Sequence, residues 1–156
     1  IELKKREVNL NAVIEEVVRN FQLRVQSRQG HIKSSLEASQ SSVYGDPFHL
    51  ANIFYSLLDN ADKYSLSSPD ITITTTNKNN GVLVAIADKG IGISKDVQQY
   101  IFDKFYRVAG GDVHDVKGFG MGLTYVREIV RAHQGNVSVS SEINKGSLFE
   151  LYFHNC

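Results

Sequence analysis

Apolar residues fall three and four apart through Leu50, Ile53, Phe54, Leu57, Leu58 and Ala61, the period of a helix with one buried stripe. Asp46-Pro47 offers a capping acid followed by proline at the first helical position, so the helix is predicted to start there. Off the stripe runs a second row: Asn52, Ser56, Asn60 and Lys63. An earlier stripe of Ile14, Val17, Val18, Phe21 and Val25 predicts a helix from a cap at Asn11 to about Arg28, stopped by Gln29-Gly30. A later one, Leu123, Val126, Ile129, Val130 and His133, predicts a helix over 121–133, ended by Gly135.

Between the helices the period changes to two. Ile71 to Thr76 alternates with threonines, a half-buried strand. Asn79-Asn80-Gly81 turns the chain into Val82 to Ala87, whose near-continuous apolar character predicts a central strand covered on both faces. Leu148 to Phe153 alternates through Phe149, Leu151 and Phe153, and Asn144-Lys145-Gly146 joins it to a strand around Val137 and Val139. His31 to Leu36 and Val43 to Gly45 are weaker strand candidates, and 65–70 is a loop. From Asp88 to Gly120 the chain is irregular and glycine-rich, broken by a short helical stretch near Val97 to Phe102. Loops this long in compact domains are usually functional. The order of elements predicts an α/β two-layer sandwich of the α+β kind, with helices on one face of a mixed sheet.

The 156 residues fit one domain, and a hydrophobic share of 42% predicts a packed core. Formal net charge is zero, so a chain-wide basic field for nucleic acid is absent. Cys156 is the only cysteine, which excludes an internal disulfide and a thiolate metal cluster. This suits a reducing, cytoplasmic setting. No apolar run approaches the roughly 20 residues of a membrane span, and no direct membrane contact is expected. The charged start, Ile1 to Glu7, lacks a signal-peptide apolar region and reads as a cut from a longer protein.

Three segments carry candidate chemistry. On the second helix, the amide oxygen of Asn60 suits a hard cation such as magnesium. The ammonium of Lys63 suits phosphate, and Tyr64 offers a ring face to a base. Asp88-Lys89-Gly90-Ile91-Gly92-Ile93 follows the central strand. A carboxylate there can accept from the exocyclic amine of adenine, whereas guanine presents an acceptor; Asp88 is thus predicted to favour ATP over GTP. Gly90 and Gly92 let backbone approach the base. Lys117-Gly118-Phe119-Gly120-Met121-Gly122-Leu123 precedes a helix, where freed amides and the helix N-terminus favour phosphate and Lys117 adds a charge. Between these lies Ile101-Phe102-Asp103-Lys104-Phe105-Tyr106-Arg107, an aromatic cluster that reads as the anchor of a lid, with Arg107 within reach of a phosphate. Familiar alternatives fail by inspection. Lys95 and Leu123 stand where a dinucleotide fingerprint needs its third glycine, no Gly-Lys pair exists for a P-loop, and the protein-kinase His-Arg-Asp triplet is missing.

The order of these pieces closely resembles the catalytic and ATP-binding domain of two-component sensor histidine kinases, in the superfamily shared with gyrase, mismatch-repair and chaperone ATPases. Gly146-Ser147-Leu148-Phe149 is similar to that family's last glycine box. The resemblance spans essentially the whole chain. It implies a single domain over 1–156, with 1–10 the tail of a linker from an absent phosphoacceptor domain, and a lid over about 92–120. It implies a mixed, mostly antiparallel sheet with three main helices on one face. It also implies that Asn60 binds magnesium, Lys63 a phosphate, and Tyr64 the flank of the adenine. Asp88 would accept from the adenine amine, with Gly90, Gly92 and Ile93 shaping the base pocket. Phe105, Arg107, Lys117, Gly118, Phe119, Gly120, Met121, Gly122, Leu123 and Ser147 would complete the ATP site. The implied activity transfers the ATP γ-phosphoryl to a histidine on a separate helical dimerisation domain, and thence to a response regulator. The parent would be membrane-anchored.

Two departures bear on this. Histidine kinases usually carry asparagine four residues before the magnesium asparagine, and the hydrolysing ATPases carry glutamate; here the residue is Ser56, no base at neutral pH. That argues against hydrolysis as the main chemistry. Nor does any of His31, His49, His114, His133 or His154 sit before an acidic residue and arginine, as a phosphoacceptor would. Packing or surface roles are expected for His49 and His133. The competing readings are a degenerate nucleotide-binding regulatory module, which Ser56 motivates, and a serine-directed anti-sigma-factor kinase of the same fold.

Overall fold

The structure, a computed structural model, describes residues 2–103 and 122–156. In chain order the described elements are β1 (Arg6–Asn9), α1 (Leu10–Gln26), β2 (His31–Leu36), β3 (Ser42–Gly45), α2 (Pro47–Lys63), β4 (Asp70–Lys78), β5 (Gly81–Asp88), α3 (Lys95–Gln98), α4 (Leu123–Ala132), β6 (Asn136–Glu142) and β7 (Gly146–His154). Five strands form one sheet in the order β2-β4-β5-β7-β6. Only the β2–β4 pair is parallel; β4–β5, β5–β7 and β6–β7 are antiparallel. The mixed, mostly antiparallel sheet and its three main helices agree with expectation.

One core lies between α1, α2 and α4 and the sheet. The stripes of α1 and α2 are buried as their periodicity predicts, and they meet Ile71 and Ile73 of β4, Val82, Val84 and Ile86 of β5, and Phe149, Leu151 and Phe153 of β7. Asp46 caps α2 through Oδ1, which accepts from the amides of Phe48 (2.9 Å) and His49 (3.3 Å), with Pro47 at the first position. Gln29 (φ 60°) ends the turn after α1, and the hairpin 143–146 turns through Asn144 (φ 66°) and Gly146 (φ 117°).

Several expectations are corrected. The cap of α1 is Asn9, whose Oδ1 accepts from Ala12 N at 3.2 Å. Asn11 instead accepts from the buried Thr75 hydroxyl (2.8 Å) and donates to Ala38 O (2.9 Å), satisfying polar groups that burial would otherwise strand. A strand that the hydrophobic pattern did not predict, β1, pairs antiparallel with β3. Strand β5 is central but is covered on one face only: Val82, Val84 and Ile86 are buried while Leu83, Ala85 and Ala87 are half-buried. Small alanines on the second face leave little apolar area to cover, so a continuous apolar run did not require two helical layers. Helix α3 is one turn, and Ile101 and Phe102 follow it as buried turn residues rather than as helix.

His133 caps the far end of α4. It is buried, its Nε2 accepts from Asp46 N at 3.0 Å, and its Nδ1 meets Ile129 O at 2.7 Å, which fixes the neutral tautomer with the proton on Nδ1. Asp46 Oδ2 in turn accepts from Lys4 N at 2.8 Å. The end of α4, the start of α2 and the N-terminal segment are therefore tied at one point. Burial lowers the His133 pKa; the Ile129 carbonyl works against that, and Lys5 reinforces it. The unfolded chain then binds more protons on this histidine, so its contribution is complete above about pH 6.5 and is lost as pH falls below it. Urea unfolding at pH 7.5 and 5.5 tests this. The parent chain is expected to lose stability on going to pH 5.5. His133→Leu should lower stability at pH 7.5 by about 1–3 kcal/mol, because Asp46 N is left without an acceptor, and should flatten the pH dependence.

Candidate functional site

The C-terminal turn of α2 carries the row that ends in Asn60 and Lys63. Its apolar side is locked in the core, so the row's direction is fixed by burial rather than by the polar residues themselves. Asn60 is half-buried on that row. Ser56 lies one turn earlier, and its Oγ is buried without a partner among the described residues. The helix closes at Tyr64, whose amide donates to Asn60 O at 3.2 Å.

The loop after β5 meets this helix end. Ile91 N donates to Tyr64 O at 3.0 Å. Gly90 faces the same carbonyl: a Cβ built there would sit 2.3 Å from Tyr64 O, closer than a side chain tolerates. Gly92 has φ +76°, and a Cβ there would fall 2.1 Å from Glu142 O. The loop is thus pressed between the end of α2 and the β6–β7 hairpin. Asn144 N donates to Ile91 O (2.8 Å), and Ile93 N donates to the Ser141 hydroxyl (2.7 Å). Ser141 Oγ also contacts Gly146 O (2.9 Å) and the Ser147 hydroxyl (2.7 Å). Gln98 of α3 donates to both Ile93 O and Ser141 O.

Asp88 closes the C-terminal end of β5, opposite Ser147 in the ladder. Its Oδ1 accepts from Gly90 N at 2.8 Å. Burial raises the Asp88 pKa, while the amides of Gly90 and Ser147 pull it back down. A half-buried carboxylate oriented by two backbone amides keeps lone pairs for a further donor, since an ionised carboxylate has about four acceptor sites.

Asn60, Lys63, Tyr64, Asp88, Gly90, Gly92, Ile93 and Ser147 therefore belong to one region built from α2, β5 and the β6–β7 hairpin. Lys63 differs from expectation in one respect: its ammonium stands 2.7 Å from Asp59 Oδ2. Ser147 is buried and its hydroxyl is engaged by Ser141. Gly122 is the N-cap of α4, with no described atom within 4 Å of where a Cβ would sit, and Leu123 begins that helix half-buried. Phe105, Arg107, Lys117, Gly118, Phe119, Gly120 and Met121 lie outside the described residues, as does most of the expected lid. Sequence reasoning missed Ser141 and Gln98, which fix the loop; both are long-range contacts with no local signature. It also missed Asp59, although its spacing of four from Lys63 is the usual one for a helical ion pair.

Among the described residues no three histidine, cysteine, aspartate or glutamate side chains gather as a metal site. No described helix is long and apolar enough to cross a membrane.

Comparison with known proteins agrees with this geometry. Residues 45–155 match the family described as histidine kinase-, DNA gyrase B- and HSP90-like ATPase. The chain is 41% identical over 149 residues to the sensor protein RprX of Bacteroides fragilis, covering 94% of this chain and 29% of that protein. It is 36% identical over 107 residues to the signal transduction histidine-protein kinase ArlS of Staphylococcus aureus, covering 69% of this chain and 24% of that one. It thus spans less than a third of either relative. The catalytic domain of the histidine kinase ThkA superposes with a TM-score of 0.81 at 22% identity, covering 97% of this chain and 96% of that one. With the helix-borne amide, the strand-end acid and the glycine loop joined at one place, and with these matches in sequence and fold, the chain belongs to the histidine kinase-, DNA gyrase B- and HSP90-like ATPase family.

Proposed function

We propose that this chain is the ATP-binding catalytic domain of a sensor histidine kinase, presenting the γ-phosphoryl of ATP to a histidine on a separate helical domain of its parent. The observation that carries the reading is the half-buried Asp88 carboxylate at the end of β5, beside a loop bonded to the last turn of α2. Asp88 would accept from the adenine amine with a carboxylate already oriented by the amides of Gly90 and Ser147. Tyr64, Gly90 and Gly92 would border the base. Asn60 and Lys63 would serve the phosphates from the same helix, and the glycine segment from Lys117 to Leu123 would supply the remaining phosphate contacts.

The residues fit a magnesium ion. Asn60 offers a half-buried amide oxygen, and a cation that takes one protein ligand draws the rest from phosphate oxygens and water, as magnesium does at nucleotide sites. When bound, the ion would neutralise charge on the transferring phosphoryl group. Lys63 would share that task. Ser56 supplies no base to activate water, so the phosphoryl group is kept for an acceptor rather than lost to hydrolysis. The acceptor helices and a downstream response regulator are the proposed partners. The parent would sit at the membrane with this domain on the cytoplasmic side.

Calorimetric titration tests the binding step. The chain is expected to bind MgATP at least tenfold more tightly than MgGTP. Asp88→Asn should cut ATP affinity by about tenfold or more and narrow that preference, since an amide presents its donor or its acceptor to the base according to its flip. The same variant should unfold at no lower urea concentration than the parent, because it removes a charge that burial disfavours. Equal affinity for the two nucleotides in the parent chain would remove the role given to Asp88.

A second experiment separates transfer from mere binding. The Ser56 hydroxyl, buried and unpartnered, favours the alternative of a regulatory module that holds nucleotide without passing it on. The chain mixed with labelled ATP and an acceptor domain from a sensor kinase should label the acceptor, and should release little inorganic phosphate alone. Asn60→Ala should lower labelling by about a hundredfold, through loss of the ion that orients the phosphates. An unlabelled acceptor with full nucleotide binding would select the regulatory module.

A further inference from the structure

The phosphate end of the site adjoins an ion cluster that the proposed reaction does not use. Lys63 Nζ lies 2.7 Å from Asp59 Oδ2, and Arg24 Nη2 of α1 lies 2.5 Å from the other oxygen of the same carboxylate. Arg24 Nε also binds Asp62 Oδ2 at 2.9 Å, and Arg28 Nη1 binds Asp62 Oδ1 at 2.7 Å and its carbonyl at 2.6 Å. The two carboxylates are almost wholly buried, with 9% and 4% of their side chains exposed. Among the described residues three cations thus face two carboxylates, leaving one positive charge in excess.

The geometry of the Lys63 contact is incomplete. Its ammonium is shielded from water, yet among the described residues it makes no well-directed hydrogen bond, and Asp59 Oδ1 is likewise without one. An ammonium has three donors to place. Asp59 holds Lys63 by charge while leaving its donors for another acceptor. A triphosphate arriving beside Asn60 must draw Lys63 away from Asp59 or share it. How strongly Asp59 resists depends on how far Arg24 neutralises it, because buried charges interact through little solvent screening.

We propose that Asp59 is a built-in competitor for the phosphate-binding Lys63, and that Arg24 on α1 sets the strength of that competition and hence the affinity for the triphosphate. Arg24 and Asp59 are positioning residues: they act on phosphate through Lys63 and touch neither base nor ribose. The inference rests on the nucleotide reading of this end of α2. It adds a link from the site to α1, the helix that follows β1 and the N-terminal segment.

The test measures MgATP and adenosine affinities for the 156-residue chain and its variants, with urea unfolding as a check on folding. Arg24→Gln removes the excess charge and should weaken MgATP by about three- to tenfold while leaving adenosine unchanged. Asp59→Asn alone should tighten MgATP, and it keeps the test alive if Arg24→Gln fails to fold. Arg24→Gln with Asp59→Asn restores one excess positive charge, and its MgATP affinity should return to within about twofold of the parent. A purely structural cluster would make the double variant worse than either single one. The inference is overturned if the double variant binds MgATP more weakly than Arg24→Gln, if Asp59→Asn weakens it, or if ATP and adenosine change in parallel. A parent chain that binds neither ligand overturns the nucleotide reading itself, and this inference with it.

Discussion

One hydrogen bond holds the two halves of the site together: the amide of Ile91 on the carbonyl of Tyr64. Helix α2 ends in carbonyls that its own turns cannot satisfy. Strand β5 ends in a loop whose amides have left the ladder. Each supplies what the other lacks, and the bond forms where Gly90 has no side chain to keep them apart. Everything else about the region follows from this seam. Asn60 and Lys63 are within a turn of it on one side, and Asp88 is three residues from it on the other. The hairpin contacts of Asn144 and Ser141 press the loop toward the seam from behind.

Helix α2 also has to satisfy three neighbours at once. Its apolar stripe enters the core, Asp59 and Asp62 face the arginines of α1, and Asn60 faces the candidate site. Burying Asp59 and Asp62 without those arginines would leave uncompensated charge, a costly state in a protein interior. Substitutions on α1 therefore reach the site through α2, even though no residue of α1 lies in it. This is a physical reason to treat the arginines as more than surface charge, since exposed pairs alone contribute little.

What could be read from the sequence was whatever local chemistry decides. Asp46-Pro47 marks a helix start because the cap bonds run two and three residues onward. The stripes of α1 and α2 are visible because burial repeats with the helical turn. Asp88 could be singled out because a carboxylate at a strand end has few other duties. Asn9 and Asn11 could not be told apart, because the choice depends on Thr75 and Ala38 far along the chain. The grip of Arg24 and Arg28 on α2, and of Ser141 on Ile93, was hidden for the same reason. Strand β5 misled differently: alanine counts as apolar in a pattern yet asks for almost no cover.

Asp88 shows how the two kinds of constraint meet. Burial near the sheet pushes its carboxyl toward the neutral form, which could not serve as a pure acceptor. The amides of Gly90 and Ser147 oppose that push. Gly90 is placed by the Tyr64 seam, and Ser147 by the ladder between β5 and β7. The charge state of the carboxylate proposed to read the base is thus set by backbone groups. A site arranged in this way keeps its acceptor only while the loop stays bonded to α2. Recognition of the base and attachment of the loop are then a single event, and any change that loosens Gly90 from Tyr64 acts on both.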